Sequence, residues 1–351
     1  MWTVLLLVSA AAADDDILFV GNSYTMSNNL PAVVASVYAS AGDRAVTDKL
    51  AAGGLTLASH AGRAADEGTA WYTKLVAEAD QRQWVVLQDQ SQVPGFPQTQ
   101  PEWGASRDGA VYLDGLIQDA GAETMFFLTW GYRDGDVLNA WRFPEFSTML
   151  GHLTDGYLAY AEACASEERP VWVAPVGPAF AVIHDQIVAD GGDPTQSSSL
   201  FYQLYSGDGS HPSPTGTQLA AYVFFAAVTG ETPVGLEPPD GFDAETIATL
   251  QEAAATAVFS ATDVFDFPWE TDGSSEPDSG SEADTGSEPD GDADGGPEGL
   301  DTAVDASPED IDGDTDKGSK KSGCATAPIE RGWGLFSLLI VGVVGRFRSS
   351  D

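Results

Sequence analysis

Positive charge is scarce in this chain of 351 residues: 15 Lys and Arg stand against 54 Asp and Glu, a formal net charge of -39. A field this negative repels phosphate, which excludes a basic nucleic-acid binder. Cysteine is almost missing, with Cys164 and Cys324 alone. That excludes a disulfide-stapled miniprotein, and with Cys324 in the tail it excludes an internal disulfide in the folded part. Cys164, in Tyr160-Ala161-Glu162-Ala163-Cys164, is expected to pack as a small hydrophobe on a helix. Histidine is sparse too. His60, His152 and His184 have no metal-ligand spacing with one another or with cysteine, so no metal site is expected. Each reads as a helix-surface or supporting residue.

Length suggests about two domains, at roughly 150 residues each. Composition along the chain revises that to one. Residues 270–316 hold 18 acids, no Lys or Arg and almost no aliphatic side chains. Such a segment cannot bury enough apolar surface to offset its chain entropy, so 270–322 is expected to be a disordered, self-repelling tether. Residues 1–269 keep 34 acids and nine bases, so the expected folded domain, 14–269, is itself acidic. Within the tether, Asp290-Gly291-Asp292-Ala293-Asp294-Gly295 matches the start of a calcium loop, with Asp301 at the twelfth position. Pro297 inside the loop and the lack of flanking amphipathic helices favour diffuse divalent binding by a solvated polyanion.

Residues 1–13 form an apolar run ending in alanines, followed at once by Asp14, Asp15 and Asp16. The run reads as a secretory signal, although it is shorter than the usual roughly 15 to 30 residues and lacks a basic n-region. A first buried strand or helix is the other reading. At the far end, residues 323–351 combine Cys324, an apolar run at 332–345 and the terminal Arg346 and Arg348. That run is shorter than the roughly 20 residues of a permanent helical span. The combination resembles the MYXO-CTERM sorting signal of myxobacterial surface proteins. The resemblance implies a sorting protease acting near Cys324 and attachment to the outer membrane surface. An ordinary weak membrane anchor is the alternative, and both put the domain outside the cytoplasm.

Between the two ends, strand-length apolar runs alternate with helical patterns. Residues 17–20, 84–87, 124–130 and 171–176 are continuous apolar runs, as parallel strands covered on both faces require, and 45–50 is a weaker candidate. Helices are expected at 30–41, 59–78, 105–120, 144–165, 180–189 and 214–228, and 244–261 either packs on the sandwich or begins the stalk. The alternation predicts an α/β/α sandwich with a mostly parallel sheet, in which ligands bind beyond the carboxyl ends of the strands.

Behind the first strand comes Gly21-Asn22-Ser23-Tyr24-Thr25, a serine in a tight turn just ahead of a helix that Pro31 helps to start. Alone, an N-cap serine explains it equally well. Far downstream stands Asp208-Gly209-Ser210-His211-Pro212-Ser213. A hydroxyl nucleophile needs a base, and the base needs a carboxylate to fix its tautomer. Asp208, three residues before His211, can accept from one ring nitrogen while the other faces Ser23.

On these residues, 16–230 resembles the SGNH (GDSL-like) hydrolase superfamily. Phe19-Val20-Gly21-Asn22-Ser23 matches the first block, with Asn22 where many members carry Asp, and Asp208-Gly209-Ser210-His211-Pro212 matches the last. The resemblance implies a flavodoxin-like sandwich and ester hydrolysis with no metal or organic cofactor. Ser23, His211 and Asp208 would be the catalytic triad. The Ser23 amide, a glycine of the second block and an amide side chain of the third would hold the oxyanion. The glycine maps to Gly54, with Gly53 one residue away still open. The third block, usually Gly-x-Asn-Asp, reads Gln88-Asp89-Gln90-Ser91, which places Gln90 at the asparagine position. This departure resembles a branch of the superfamily with Gly-Asn-Ser-Tyr-Thr and Gln-x-Gln-Ser.

Asn22, Gln88, Trp130 and Tyr132 are candidates for lining the substrate pocket, with Phe180 and Tyr205 further off. The expectation is a secreted, surface-anchored serine esterase acting on a small-molecule or polysaccharide ester, acetylated carbohydrates among them. A binding module without turnover and an O-acyltransferase are the alternatives.

Overall fold

The computed structural model describes residues 15–79, 82–166, 168–260 and 264–271. The expected export signal, the calcium-like loop, nearly all of the acidic stretch and the sorting segment with Cys324 lie outside the described residues.

Five strands, β1 (Asp15–Gly21), β2 (Ala45–Ala51), β3 (Trp84–Leu87), β4 (Glu123–Phe127) and β5 (Trp172–Ala174), form one sheet in the order β2-β1-β3-β4-β5. All four pairings are parallel, with Val20 opposite both Leu50 and Leu87, and Leu87 opposite Phe126. Central strands must be apolar throughout because both faces are covered, and Ile17–Val20 and Trp84–Leu87 are buried at every position. Edge strand β2 buries Leu50 and keeps Asp48 and Lys49, charges that discourage further pairing.

The helices are α1 (Ser23–Met26), α2 (Leu30–Ala41), α3 (Leu57–Ala64), α4 (Ala70–Tyr72), α5 (Pro101–Asp119), α6 (Phe146–Cys164), α7 (Val176–Ala189), α8 (Leu200–Gln203), α9 (Pro214–Thr229), α10 (Ala244–Phe259) and α11 (Pro268–Thr271). Neighbouring residues of β4 show which layer is which. Phe126 meets Tyr157 and Tyr160 of α6, whereas Phe127 meets Phe224 of α9 edge to face at 5.0 Å. α3, α5 and α6 pack together in the first layer, and α2, α7, α9 and α10 in the second. The expected α/β/α sandwich is therefore what forms. The chain goes from β1 to β2 on one side, then returns to β3 on the other. At such a reversal an open parallel sheet binds ligands in the crevice beyond the carboxyl ends of its strands, here β1 and β3.

Several expected boundaries move for local reasons. The helix expected over 59–78 breaks after α3, because the Thr69 hydroxyl donates to the carbonyls of Arg63 and Asp66 and accepts from the Tyr72 amide, starting a new turn. The last strand stops at Ala174, since Pro175 has no amide hydrogen for the ladder and Val176 already begins α7. β4 ends at Phe127, not Trp130. α10 packs on α7 and α9, so it belongs to the sandwich layer. Cys164 ends α6 half-buried against the core, and burial pushes its thiol up to about 12.

Close approach explains one glycine. At Gly156 in α6 a Cβ would collide with the Pro94 carbonyl in the turn Val93–Gly95, which continues from the segment behind β3. Gly156→Ala is expected to destabilise the fold by roughly 1 to 3 kcal/mol, read as a lower urea midpoint. An unchanged midpoint would show that helix and turn part freely.

Candidate active site

β1 ends at Gly21, and the chain turns sharply through Asn22 into α1. The Asn22 side chain fixes that turn from both directions. Its oxygen accepts from the Tyr24 amide at 3.1 Å, while its nitrogen donates to the carbonyls of Leu55 and Asp89 at 3.2 and 3.0 Å. Its own amide donates to the Gln88 side chain at 2.9 Å. Ser23 is thereby presented at the rim of the crevice.

The loop before α9 carries Asp208 and His211. The Asp208 carboxylate accepts from the amides of Ser210 and His211 at 3.0 and 2.9 Å, closing a tight turn. His211 Nδ1 stands 2.6 Å from Asp208 Oδ2, and His211 Nε2 stands 2.8 Å from Ser23 Oγ. Burial works to raise the Asp208 carboxyl, but the two amides and the His211 ring outweigh it and hold it below the ordinary carboxylate range. An ionised carboxylate only accepts, so Nδ1 carries the ring proton and Nε2 is left to accept from the serine hydroxyl. Residues 188 positions apart thus form one hydrogen-bonded relay. The loop is braced from behind: Trp130 Nε1 donates to the Ser210 carbonyl at 3.0 Å, and the Arg133 amide donates to the Gly209 carbonyl at 2.8 Å.

The cleft beside Ser23 encloses about 280 Å³. Gly54 lines it and Gly53 does not. Gly54 has φ +69°, a left-handed turn conformation that an L side chain resists, with open space where a Cβ would stand. Gln90 lines the cleft too. Its side-chain oxygen accepts from the Gln92 amide at 2.8 Å, and its Nε2 donates to Gln92 Oε1 at 3.1 Å and, over a longer 3.4 Å, to Ser91 Oγ. Gln92 donates in turn to Asp136. Hydroxyls complete the wall: Tyr24 pairs with Ser210 at 3.1 Å, and Ser91 with Tyr132 at 2.8 Å. Burial pushes both phenols up, so they stay protonated. A larger hollow, of about 340 Å³, lies beside Leu158 and Phe265, with no histidine among its lining residues.

Of the residues singled out in the sequence, Asn22, Ser23, Gly54, Gln90, Tyr132 and His211 meet at this cleft, with Asp208 behind His211. Other expectations are corrected. Gln88 is fully buried, its oxygen accepting from Asn22 and the Thr25 hydroxyl, so it supports the serine turn and does not line the cleft. Trp130 is sandwiched between Tyr24 and Phe180, with ring centroids 4.7 and 4.5 Å away, and is packing rather than pocket wall. Phe180 and Tyr205 are buried too. His60 is fully buried and not on a helix surface. Its Nδ1 accepts from Trp71 at 2.7 Å, and desolvation pushes the ring down to about 4. Sequence reasoning missed Tyr24, Ser91 and Ser210 as cleft residues, although each adjoins a motif residue. Among the described residues no cluster of His, Cys, Asp and Glu is arranged to hold a metal ion.

No protein-family model matches the chain, and no curated protein matches it in sequence. Among solved structures, a DUF4886 family protein from Bacteroides uniformis is similar over 70% of this chain and 95% of its own, at 17% identity and a TM-score of 0.56. At that identity the likeness is one of fold. A candidate SGNH hydrolase from Slackia heliotrinireducens is similar over 60% of this chain and 97% of its own, at 24% identity and a TM-score of 0.45. A psychrotrophic esterase from a Pseudoalteromonas species covers 60% of this chain and 95% of its own, at 13% identity and a TM-score of 0.40.

Proposed function

We propose that this chain is a serine ester hydrolase of the SGNH type. The observation that carries the reading is the relay in which His211 Nε2 lies 2.8 Å from Ser23 Oγ while Nδ1 lies 2.6 Å from Asp208. In the proposed reaction His211 takes the Ser23 proton as the oxygen attacks the ester carbonyl. The carbonyl electron pair moves onto oxygen, and the amides of Ser23 and Gly54 together with the Gln90 side chain stabilise that charge. Collapse breaks the bond to the alcohol, which leaves with the proton from His211. Water then attacks the acyl-serine, with His211 again taking and returning a proton, and the carboxylic acid departs.

The cleft wall also bears on the substrate. It is built from hydroxyls, amides, an imidazole, a glycine and the two phenol rings of Tyr24 and Tyr132, with no aliphatic side chain among its lining residues. A long hydrocarbon would find polar groups there, which favours short acyl groups such as acetyl. The acidic domain further favours neutral or cationic esters. With the purified protein, p-nitrophenyl acetate is expected to be hydrolysed with a kcat/KM at least about tenfold above that of the octanoate. A preference for octanoate would refute the short-acyl assignment, and no hydrolysis of any chain length would refute the esterase. Ester hydrolysis is preferred over a turnover-free binding module because nucleophile, base and carboxylate are already connected.

The proposal extends to location. The apolar opening run and the Cys324-to-Arg348 segment support export and attachment to the outer membrane surface, with a sorting protease as partner.

A further inference from the structure

Ser23 opens the single-turn α1, and Gly54 and Gln90 lie outside any strand or helix, so something other than a ladder must hold the spacing of the three. Asp89 bonds beside all three. Its Oδ1 accepts from the amide of Leu57, the first residue of α3 and three past Gly54, at 2.9 Å, and from the Gln90 amide at 2.8 Å. The Ser106 hydroxyl of α5 reaches the same oxygen at 3.1 Å, and the Tyr160 hydroxyl of α6 reaches Oδ2 at 3.1 Å. Its backbone carbonyl accepts from Asn22 Nδ2 at 3.0 Å, next to Ser23, and its amide donates to the Tyr157 hydroxyl at 3.2 Å. Asp89 has no solvent exposure at all.

We propose that Asp89 is the positioning residue of the oxyanion site, its ionised carboxylate clamping the start of α3 to the Gln90 backbone while its carbonyl holds Asn22. The inference rests on the esterase reading above. A carboxylate is suited to the task because one oxygen can take several N–H and O–H donors at once, including the otherwise unpaired first amide of a helix.

Holding that charge inside the protein opposes stability. Desolvation pushes the Asp89 carboxyl up to about 6, against the pull of Leu57, Gln90, Ser106 and Tyr160. The groups packed on it are the Leu57 amide from α3, Ser106 from α5, and Tyr157 and Tyr160 from α6. Burial pushes both phenols far up, so none of these groups is charged near neutrality. The folded carboxyl therefore keeps its proton to a higher pH than the unfolded one. Between roughly pH 4 and 6 the native state binds more protons, and stability falls as pH rises.

Asp89→Asn separates the roles. Its oxygen can keep the three donors at Oδ1, and its NH2 can donate to a rotated Tyr160 hydroxyl, so the fold survives. The expected result in the full chain is a kcat lower by about 10- to 100-fold with KM little changed. The thermal midpoint at pH 7 stays equal or rises, and the stability loss between pH 4 and 6 disappears. A purely structural residue would give the reverse, a lower midpoint with kcat intact. In 15N-labelled protein the Leu57 and Gln90 amides should titrate together near pH 6 in wild type and not in the variant. Amides that do not titrate, or a kcat that does not change in an active enzyme, would overturn the proposal. A wild type without esterase activity whose two amides still titrate together would contradict the esterase reading instead.

Discussion

Ser23→Ala is expected to lower kcat/KM toward the best ester by about 10⁴- to 10⁶-fold, the range in which removal of a relay nucleophile falls. The hydroxyl is the only atom at this position able to form the acyl-enzyme. Without it the remaining donors can only polarise a carbonyl for direct attack by water. His211→Ala should cost nearly as much, and the double variant little more than either single one, because the two side chains act as a unit. Stability should scarcely change. Ser23 is only partly buried, and the turn that carries it is held by Asn22 and Gln88 rather than by its hydroxyl. A circular-dichroism melt alongside the kinetics checks this. Ser23→Ala with wild-type kinetics would place the chemistry on another residue.

Gln90→Ala is expected to lower kcat by about 10²- to 10³-fold, the effect of losing one oxyanion donor. KM should move little, since charge on the carbonyl oxygen develops mainly in the transition state. The side chain is held ready by two bonds to Gln92, which is anchored on Asp136, and Asp136 in turn caps the turn Val137–Asn139 through the Leu138 amide at 3.0 Å. The remaining amide hydrogen reaches only Ser91 Oγ, at 3.4 Å, a long contact that an oxyanion would readily displace. Gln90→Glu should be at least as damaging, because a carboxylate would face the oxyanion. A near-wild-type rate in Gln90→Ala, measured at saturating substrate, would remove this residue from the site and leave two backbone amides there.

The sheet was legible because its central strands are buried on both faces and therefore read as unbroken apolar runs. Strand ends were less so. Leu128, Thr129 and Trp130 are as buried as the strand before them, but they lie beyond the ladder, and burial alone does not reveal where pairing stops. The relay was legible because Asp208 and His211 share a turn and Ser23 sits behind a strand, two local patterns that a parallel sandwich brings to one rim. In the sequence both Gln88 and Gln90 read as residues of the cleft. Only the approach of the Asn22 amide and the Thr25 hydroxyl draws Gln88 under the serine turn while Gln90 faces the cleft. Asp89 was hidden for the same reason: its donors come from Leu57, Ser106 and Tyr160, and no short window of sequence joins them.

The most direct measurement is treatment of the full chain with a fluorophosphonate, followed by peptide mass mapping. The account predicts one phosphonyl adduct per chain, on the hydroxyl of Ser23, formed readily at neutral pH and slowed by at least about a hundredfold when His211 is replaced by alanine. An unlabelled protein, or an adduct on any other residue, would contradict it.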